Sequence, residues 1–358
     1  MAFKRPRVRI PLTPLEARKA MRQMHNTNRR ARMRGIAANG RVRVRMAEHG
    51  LFFNMARYIS AVCWGLPINC QVMPWWPLSG SLYAGGAAMA AGDTWDQFFE
   101  RIDHTWEDAK ACRRTVKYGH TKRSCPISLK AGRFPRWYEA IKPRNDASEI
   151  LGVPHRHAAA AAVIDKHVKL KPAISDHIDD VYARHLSGKH VIGAHIRGPG
   201  RYHDGTLLLN WYCEYNAPPP YEEYAKRIEK HLRPDSVVLL CTDAGCVQEH
   251  FKARWGDQVF CTVAQPGYTG EPHERAEQLG ADPYQLGVQA LTDAYLLARA
   301  DVFVYGCSNM TNYVICMAPE TPAEDIYAQA RRVDFSKLPR PADTSIIEEW
   351  VANDPTKT

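Results

Sequence analysis

The stretch Val191-Ile192-Gly193-Ala194-His195-Ile196-Arg197-Gly198-Pro199-Gly200-Arg201 decides how this chain folds. Its first six residues are nearly all apolar and lack a helical period, which is the pattern of a strand covered on both faces, and such strands belong to parallel sheets. Gly198-Pro199-Gly200 then breaks the strand and leaves two arginines, Arg197 and Arg201, at its carboxyl end. Guanidinium forks placed there fit phosphate oxygens. Working outward, residues 221–232 read as helix, 236–242 as strand, 246–255 as helix, 258–263 as strand, 283–299 as helix and 302–305 as strand. Gly256 closes one of these helices as a residue of positive φ would. This alternation predicts a parallel, doubly wound α/β sheet.

Upstream, residues 158–168 and the face formed by Ile174, Ile178, Val181, Tyr182 and Leu186 predict two further helices. Residues 51–64 have helical apolar spacing (Phe52, Met55, Ile59, Val62, Cys63), residues 68–73 read as a short strand, residues 80–92 as a small-residue loop and residues 95–106 as helix. Thr13-Pro14-Leu15-Glu16 has the order of an N-cap, a first-turn proline and a capping-box acid, so another helix is expected to start there.

At 358 residues the chain has length for two domains, and 45% apolar with 24% charged residues describes a globular protein rather than a disordered or membrane-embedded one. No run approaches the roughly 18 apolar residues of a spanning helix, and nothing at the N-terminus directs export. The ten cysteines form no C-x-x-C pair, which argues against structural zinc. Their place inside apolar runs, such as Cys241, suits buried thiols in a reducing, cytoplasmic setting.

The net charge of +10 is unevenly placed. Residues 1–50 hold 14 Lys or Arg against Glu16 and Glu48, and residues 113–144 hold 10 against Glu139 alone, so the remainder is acidic. The first stretch reads as a peripheral basic arm, either solvated or touching an anionic surface; a transit peptide or nucleic-acid contact is a weaker reading. In the second, Tyr118, Phe134, Trp137 and Tyr138 are interleaved with the cations, an arrangement that suits stacking on bases or sugars as well as a solvated loop with aromatic anchors.

In an open parallel sheet ligands sit outside the carboxyl ends of the strands. Besides Arg197 and Arg201, two other ends are polar. One is Thr242-Asp243, where Asp243 reads either as a ligand-binding carboxylate or as a helix N-cap. The other is Gly306-Cys307-Ser308-Asn309, which opens a helix whose free N–H groups suit a diphosphate, with simple capping by Ser308 as the alternative. There is no G-x-x-x-x-G-K-[ST] loop, no G-x-G-x-x-G after a strand and no D-x-D. A sugar transferase without an acidic metal-holding motif must stabilise its leaving diphosphate with arginine and backbone dipoles.

The first of these motifs, the Thr242-Asp243 strand end, and Asp293-Ala294-Tyr295-Leu296-Leu297-Ala298-Arg299-Ala300-Asp301 followed by the Ser308 turn together resemble the ordered donor-site motifs of GDP-fucose fucosyltransferases. The resemblance is to the α1,6 and O-fucosyltransferase superfamily, and within it to the rhizobial nodulation type that acts on chitin oligosaccharides. It covers about residues 47–320, and His49-Gly50-Leu51-Phe52-Phe53-Asn54 looks like the family's first glycine turn.

The resemblance implies a GT-B fold, two Rossmann-like domains with a cleft between them. The chain would divide into a basic arm (1–46), an acceptor domain (47–186), a donor domain (187–320) and a C-terminal extension (321–358). His195 and Asp293 would hold the guanine end, Arg197 and the Ser308-Asn309 helix start the diphosphate, and Asn54 would approach the donor across the cleft, with Asp243 also in the donor site.

The expected reaction is an inverting, metal-independent transfer of L-fucose from GDP-fucose to a hydroxyl of a glycan, chitin-oligosaccharide-like, or of a protein. GDP-fucose is then a substrate, and no cofactor is needed. Where relatives carry a second arginine or a Gly-Thr-Asp-Lys-like turn, this chain has Gly198-Pro199-Gly200-Arg201. Arg201 would supply the second cation and Asp204 the base, with His203 and Glu214 as rivals for that role. Ala244 stands where some relatives carry a second acid. Trp75, Trp76, Tyr83, Trp95 and Trp106 are either sugar platforms or core. Two other functions fit less of the sequence: a transferase using another nucleotide sugar, and a nucleic-acid or anionic-surface binding protein on an inactive transferase scaffold.

Overall fold

The computed structural model describes residues 40–46, 50–65, 69–79, 81–85, 92–113, 115–117, 156–196, 221–263, 282–306 and 308–326. The helix expected from Thr13 and most of the second basic stretch lie outside them.

The first strand, β1 (Arg41–Arg45), arises from strict alternation: Val42 and Val44 are fully buried and the three arginines take the other face. Helix α1 (Leu51–Gly65) follows, then β2 (Gln71–Trp75). The expected helix over 95–106 is instead three elements: α2 (Trp95–Phe98), β3 (Phe99–Glu100) and α3 (Trp106–Ala111). Two local demands break it. Phe98 and Phe99 are both fully buried, and Phe99 leaves the helix to pair with a later strand. Thr105 and Asp108 then form a reciprocal capping box that starts α3 afresh. Strand β4 (Thr115–Lys117) completes a three-stranded parallel sheet ordered β2-β1-β4. The segment read as an arm to residue 46 therefore ends in the central strand of a sheet.

The chain resumes with α4 (Arg156–His167), β5 (Lys169–Leu170), which pairs antiparallel with β3, and α5 (Pro172–His185). The second sheet is built from β6 (His190–Ile196), α6 (Tyr221–Glu229), β7 (Ser236–Thr242), α7 (Gly245–Trp255), β8 (Val259–Phe260), α8 (Pro283–Leu297), β9 (Val302–Tyr305), α9 (Asn309–Met317) and β10 (Ala323–Asp325). Its five strands run parallel in the order β10-β9-β6-β7-β8, as the alternation predicted. Strand β8 is shorter than the 258–263 expected: a 3₁₀ turn occupies Gly256–Gln258 and pairing with β7 ends at Phe260.

Alternate residues of the second sheet feed two apolar clusters. Val191, Val237, Leu239, Cys241, Phe303 and Tyr305 pack toward α5, α8 and α9, whereas Ile192, Ala194, Ile196, Val238, Leu240 and Val304 pack toward α6 and α7. Gly193 has no room for a side chain: a Cβ there would lie 2.9 Å from Leu297 Cδ2 and 3.0 Å from Ala300 Cβ.

The first cluster also takes in Val42, Val44 and most buried residues of α1, so one apolar core runs between the two sheets. Helix α1 packs on α4 and α9, with the Phe52 and Tyr313 rings 5.2 Å apart. A Cβ at Gly287 of α8 would overlap the Phe98 ring, and one at Gly85 would lie 2.6 Å from Tyr284 Cβ. Trp76, Tyr83 and Trp95 are buried in this core, which settles them as packing residues. Asp93 is buried too: it accepts from the backbone N–H of Trp76 (3.0 Å) and Trp95 (2.7 Å) and lies 3.2 Å from the Arg101 guanidinium. Among the described residues no helix is long and apolar enough to cross a membrane.

Candidate donor-binding site

His195 is the penultimate residue of β6, in register with Cys241 of β7 and Tyr305 of β9. Neighbours in register point the same way, so all three side chains stand on the α8–α9 face at the carboxyl end of the sheet. The imidazole is buried, with Nδ1 3.1 Å from Thr311 Oγ1 and 3.4 Å from Ser308 Oγ. Thr311 Oγ1 itself donates to the Gly306 carbonyl at 3.0 Å, so the hydrogen-bond pattern makes His195 Nδ1 the donor to Thr311. The ring is thereby tied to the start of α9.

Ser308 is the N-cap of α9. Its extended backbone (φ −156°, ψ 166°) turns the side chain back to accept the Thr311 N–H at 3.0 Å, so the capping role expected as the alternative is present. Asn312 N–H goes to the Ser308 carbonyl at 3.1 Å. The amides of Asn309 and Met310 open the helix at the carboxyl edge of β9, where the helix dipole favours an anion.

Asp293 departs from the usual solvated place of a helical carboxylate. It is buried in α8, where the Thr262 hydroxyl donates to Oδ1 and the Cys241 thiol supplies a second hydrogen bond. Burial pushes its pKa up to about 7 while those two bonds pull it down. The neighbouring thiols stay protonated: burial raises Cys241 well above its ordinary value and Cys261 to about 11. Because Cys241 stands beside His195 in register and bonds Asp293, the His195–Ser308–Thr311 and Asp293–Thr262–Cys241 groups share one face of one sheet end.

The other expected residues divide. Asp243 follows β7 and is half-buried, but the N-cap of α7 is Ala244, so Asp243 does not cap that helix. Asn309 is half-buried at the first position of α9. Asn54 is fully buried in α1, the helix that meets α9 through Phe52 and Tyr313. Arg197, Arg201 and Asp204, with the rival bases His203 and Glu214, lie outside the described residues. Sequence reasoning missed Cys241, Thr262 and Thr311. Thr262 was within its reach, since it follows β8 as the strand-end rule requires. Among the described residues no group of three or more His, Cys, Asp or Glu side chains is placed to hold a metal ion.

The fold and this sheet end define a parallel α/β protein with a polar site at the strand carboxyl ends, the place such proteins use for nucleotides. The chain belongs to the Nodulation protein Z (NodZ) family, whose profile matches residues 157–343. It is 27% identical over 223 residues to Nodulation protein Z of Azorhizobium caulinodans, covering 53% of this chain and 66% of the relative. It is 31% identical over 176 residues to Nodulation protein Z of Bradyrhizobium diazoefficiens, covering 48% of this chain and 46% of the relative. The chain thus spans between about half and two thirds of the length of these curated relatives. A solved structure with 20% identity is the NodZ alpha-1,6-fucosyltransferase soaked with GDP-fucose, aligned over 78% of this chain and 92% of that one with a TM-score of 0.44. The motif resemblance to the GDP-fucose fucosyltransferase superfamily is borne out at the level of family.

Proposed function

We propose that this chain is a fucosyltransferase that moves L-fucose from GDP-fucose to an acceptor hydroxyl with inversion and without a metal ion. The observation that carries this reading is the convergence of His195, Ser308 and Asp293 on one face of the second sheet's carboxyl end. Membership of the NodZ family supports the choice of sugar, since a protein bearing that name is described as an alpha-1,6-fucosyltransferase and was soaked with GDP-fucose.

Guanine's N–H donors suit the Asp293 carboxyl and the acceptor Nε2 left to a neutral His195 whose Nδ1–H goes to Thr311, so these two residues would select the base. The leaving diphosphate would be met by Arg197, Arg201 and the first amides of α9, with Asp243 and Asn54 bordering the donor. Asp204 would accept the proton of the attacking hydroxyl as the acceptor displaces GDP from the anomeric carbon in a single step. The donor residues belong to the segment 187–320, and residues 47–186 would present a glycan, chitin-oligosaccharide-like, or a protein. Cys241 and Cys261 carry thiols rather than a disulfide, which supports a reducing compartment, the cytoplasm.

Titration calorimetry with GDP, UDP, GDP-fucose and GDP-mannose, followed by a transfer assay with and without a metal chelator, tests the proposal. GDP and GDP-fucose should bind and UDP should not, with turnover indifferent to the chelator. Binding of UDP in preference to GDP would transfer the site to another nucleotide sugar, and no binding of any guanine nucleotide would end the reading.

A further inference from the structure

Thr311 is fully buried in the first turn of α9, and its hydroxyl is saturated. It donates to the Gly306 carbonyl at 3.0 Å, and it accepts the Ser308 hydroxyl at 3.0 Å and the His195 Nδ1–H at 3.1 Å. A hydroxyl has one hydrogen and two lone pairs, so all three positions are taken.

The opposite tautomer, with Nδ1 bare, is disfavoured by the same bonds. It would set lone pairs of the Thr311 oxygen against that of Nδ1 at 3.1 Å, or would turn the Thr311 O–H to the ring and take that donor from the buried Gly306 carbonyl. Ser308 Oγ, at 3.4 Å from Nδ1, is the more distant partner and already accepts the Thr311 N–H.

We propose that Thr311 is a positioning residue that sets the purine specificity of the donor site, by holding the His195 proton on Nδ1 and so presenting Nε2 to the base as an acceptor. The inference deepens the donor-site reading above and rests on it. Asp293 and His195 Nε2 are then two acceptors, and guanine brings an N–H donor for each, from N1 and from its amino group. Hypoxanthine keeps the N1–H and lacks the amino group, so it leaves one buried acceptor unmatched. Thr311 also belongs to the helix turn whose opening amides would meet the diphosphate, so one residue ties the base reader to the phosphate end of the same ligand.

Two measurements on the full-length chain test this. Ring-nitrogen NMR at about pH 8, where an ordinary imidazole is neutral, should show His195 with its proton on Nδ1 and Nε2 bare, the signal being identified by its loss in His195→Gln. Thr311→Val, which keeps the shape and removes the hydroxyl, should move the proton toward Nε2, and Thr311→Ser should restore the parent's spectrum. Calorimetry with GDP and inosine diphosphate should give the parent at least about a tenfold preference for GDP, Thr311→Val a preference about tenfold smaller, and Thr311→Ser the parent's value. A merely structural role would weaken both nucleotides alike and keep the ratio. A proton on Nε2, or on both nitrogens, in the parent would overturn the proposal, as would an unchanged ratio in a Thr311→Val protein that melts cooperatively; if that variant does not fold, the parent's spectrum decides. A parent that binds no guanine nucleotide ends the donor-site reading and this inference with it, whereas GDP binding with the wrong tautomer or an unmoved ratio ends this inference alone.

Discussion

Asp293 sits where ionising costs energy. Its folded pKa of about 7 lies above the ordinary value of 3.8, so between these limits the folded state keeps a proton that the unfolded chain releases. Stability from this group is complete below about pH 4 and is lost as pH rises through about 7, by at most on the order of 4 kcal/mol. Asp293→Asn should flatten that slope, as read from melting temperatures between about pH 4 and pH 8. If the carboxylate reads guanine, GDP should also bind the parent more tightly, relative to Asp293→Asn, as pH climbs past 7. An identical pH dependence in both proteins would remove Asp293 from base recognition. If Arg197 meets the leaving diphosphate as proposed, Arg197→Ala should lower turnover by about 10²- to 10³-fold with the melt unchanged. His195, Asp293 and Ser308 could be found in the sequence because each is fixed by a strand end or a motif. Thr262 and Cys241 could not be tied to Asp293, since their meeting depends on where α8 crosses the strands.

Among the elements, α8 is held closest to the rest of the molecule at Gly287. Gly287→Ala would push a methyl into the Phe98 ring and should cost about 1–3 kcal/mol in chemical denaturation. Combined with Phe98→Leu, it should cost less than the two changes added together, because the smaller side chain makes the room. Asp93→Ala should cost more, about 2–6 kcal/mol, since it leaves two buried backbone amides without an acceptor, while Arg101 keeps Asp96 at 2.6 Å. The strands of the second sheet were legible from their continuous apolar runs. Strand β1 was not read, although Arg-Val-Arg-Val-Arg alternates perfectly, because its charge matched the basic stretch before it. The helix expected over 95–106 failed for a different reason: the pairing of Phe99 with Leu170 is a contact between residues far apart in sequence, and only the Thr105 cap was there to be seen.

At the scale of the whole molecule, the position of β1 makes two truncations behave differently. Removing residues 1–39 should leave a folded protein with the parent's melting temperature and GDP affinity. Removing residues 1–46 deletes the central strand of the first sheet, with Val42, Val44 and Met46 of the core, and should yield a chain without a cooperative melt. The parallel second sheet was readable from periodicity, whereas the core it shares with the first sheet was not, because no local pattern encodes which helix faces belong to both. That shared seam bears on how such enzymes could be recombined. A chimera grafting the first half of one relative onto the second half of another would have to inherit Gly85 with its partner Tyr284, and Gly287 with Phe98, as matched pairs; exchanging only one member of either would jam the joint.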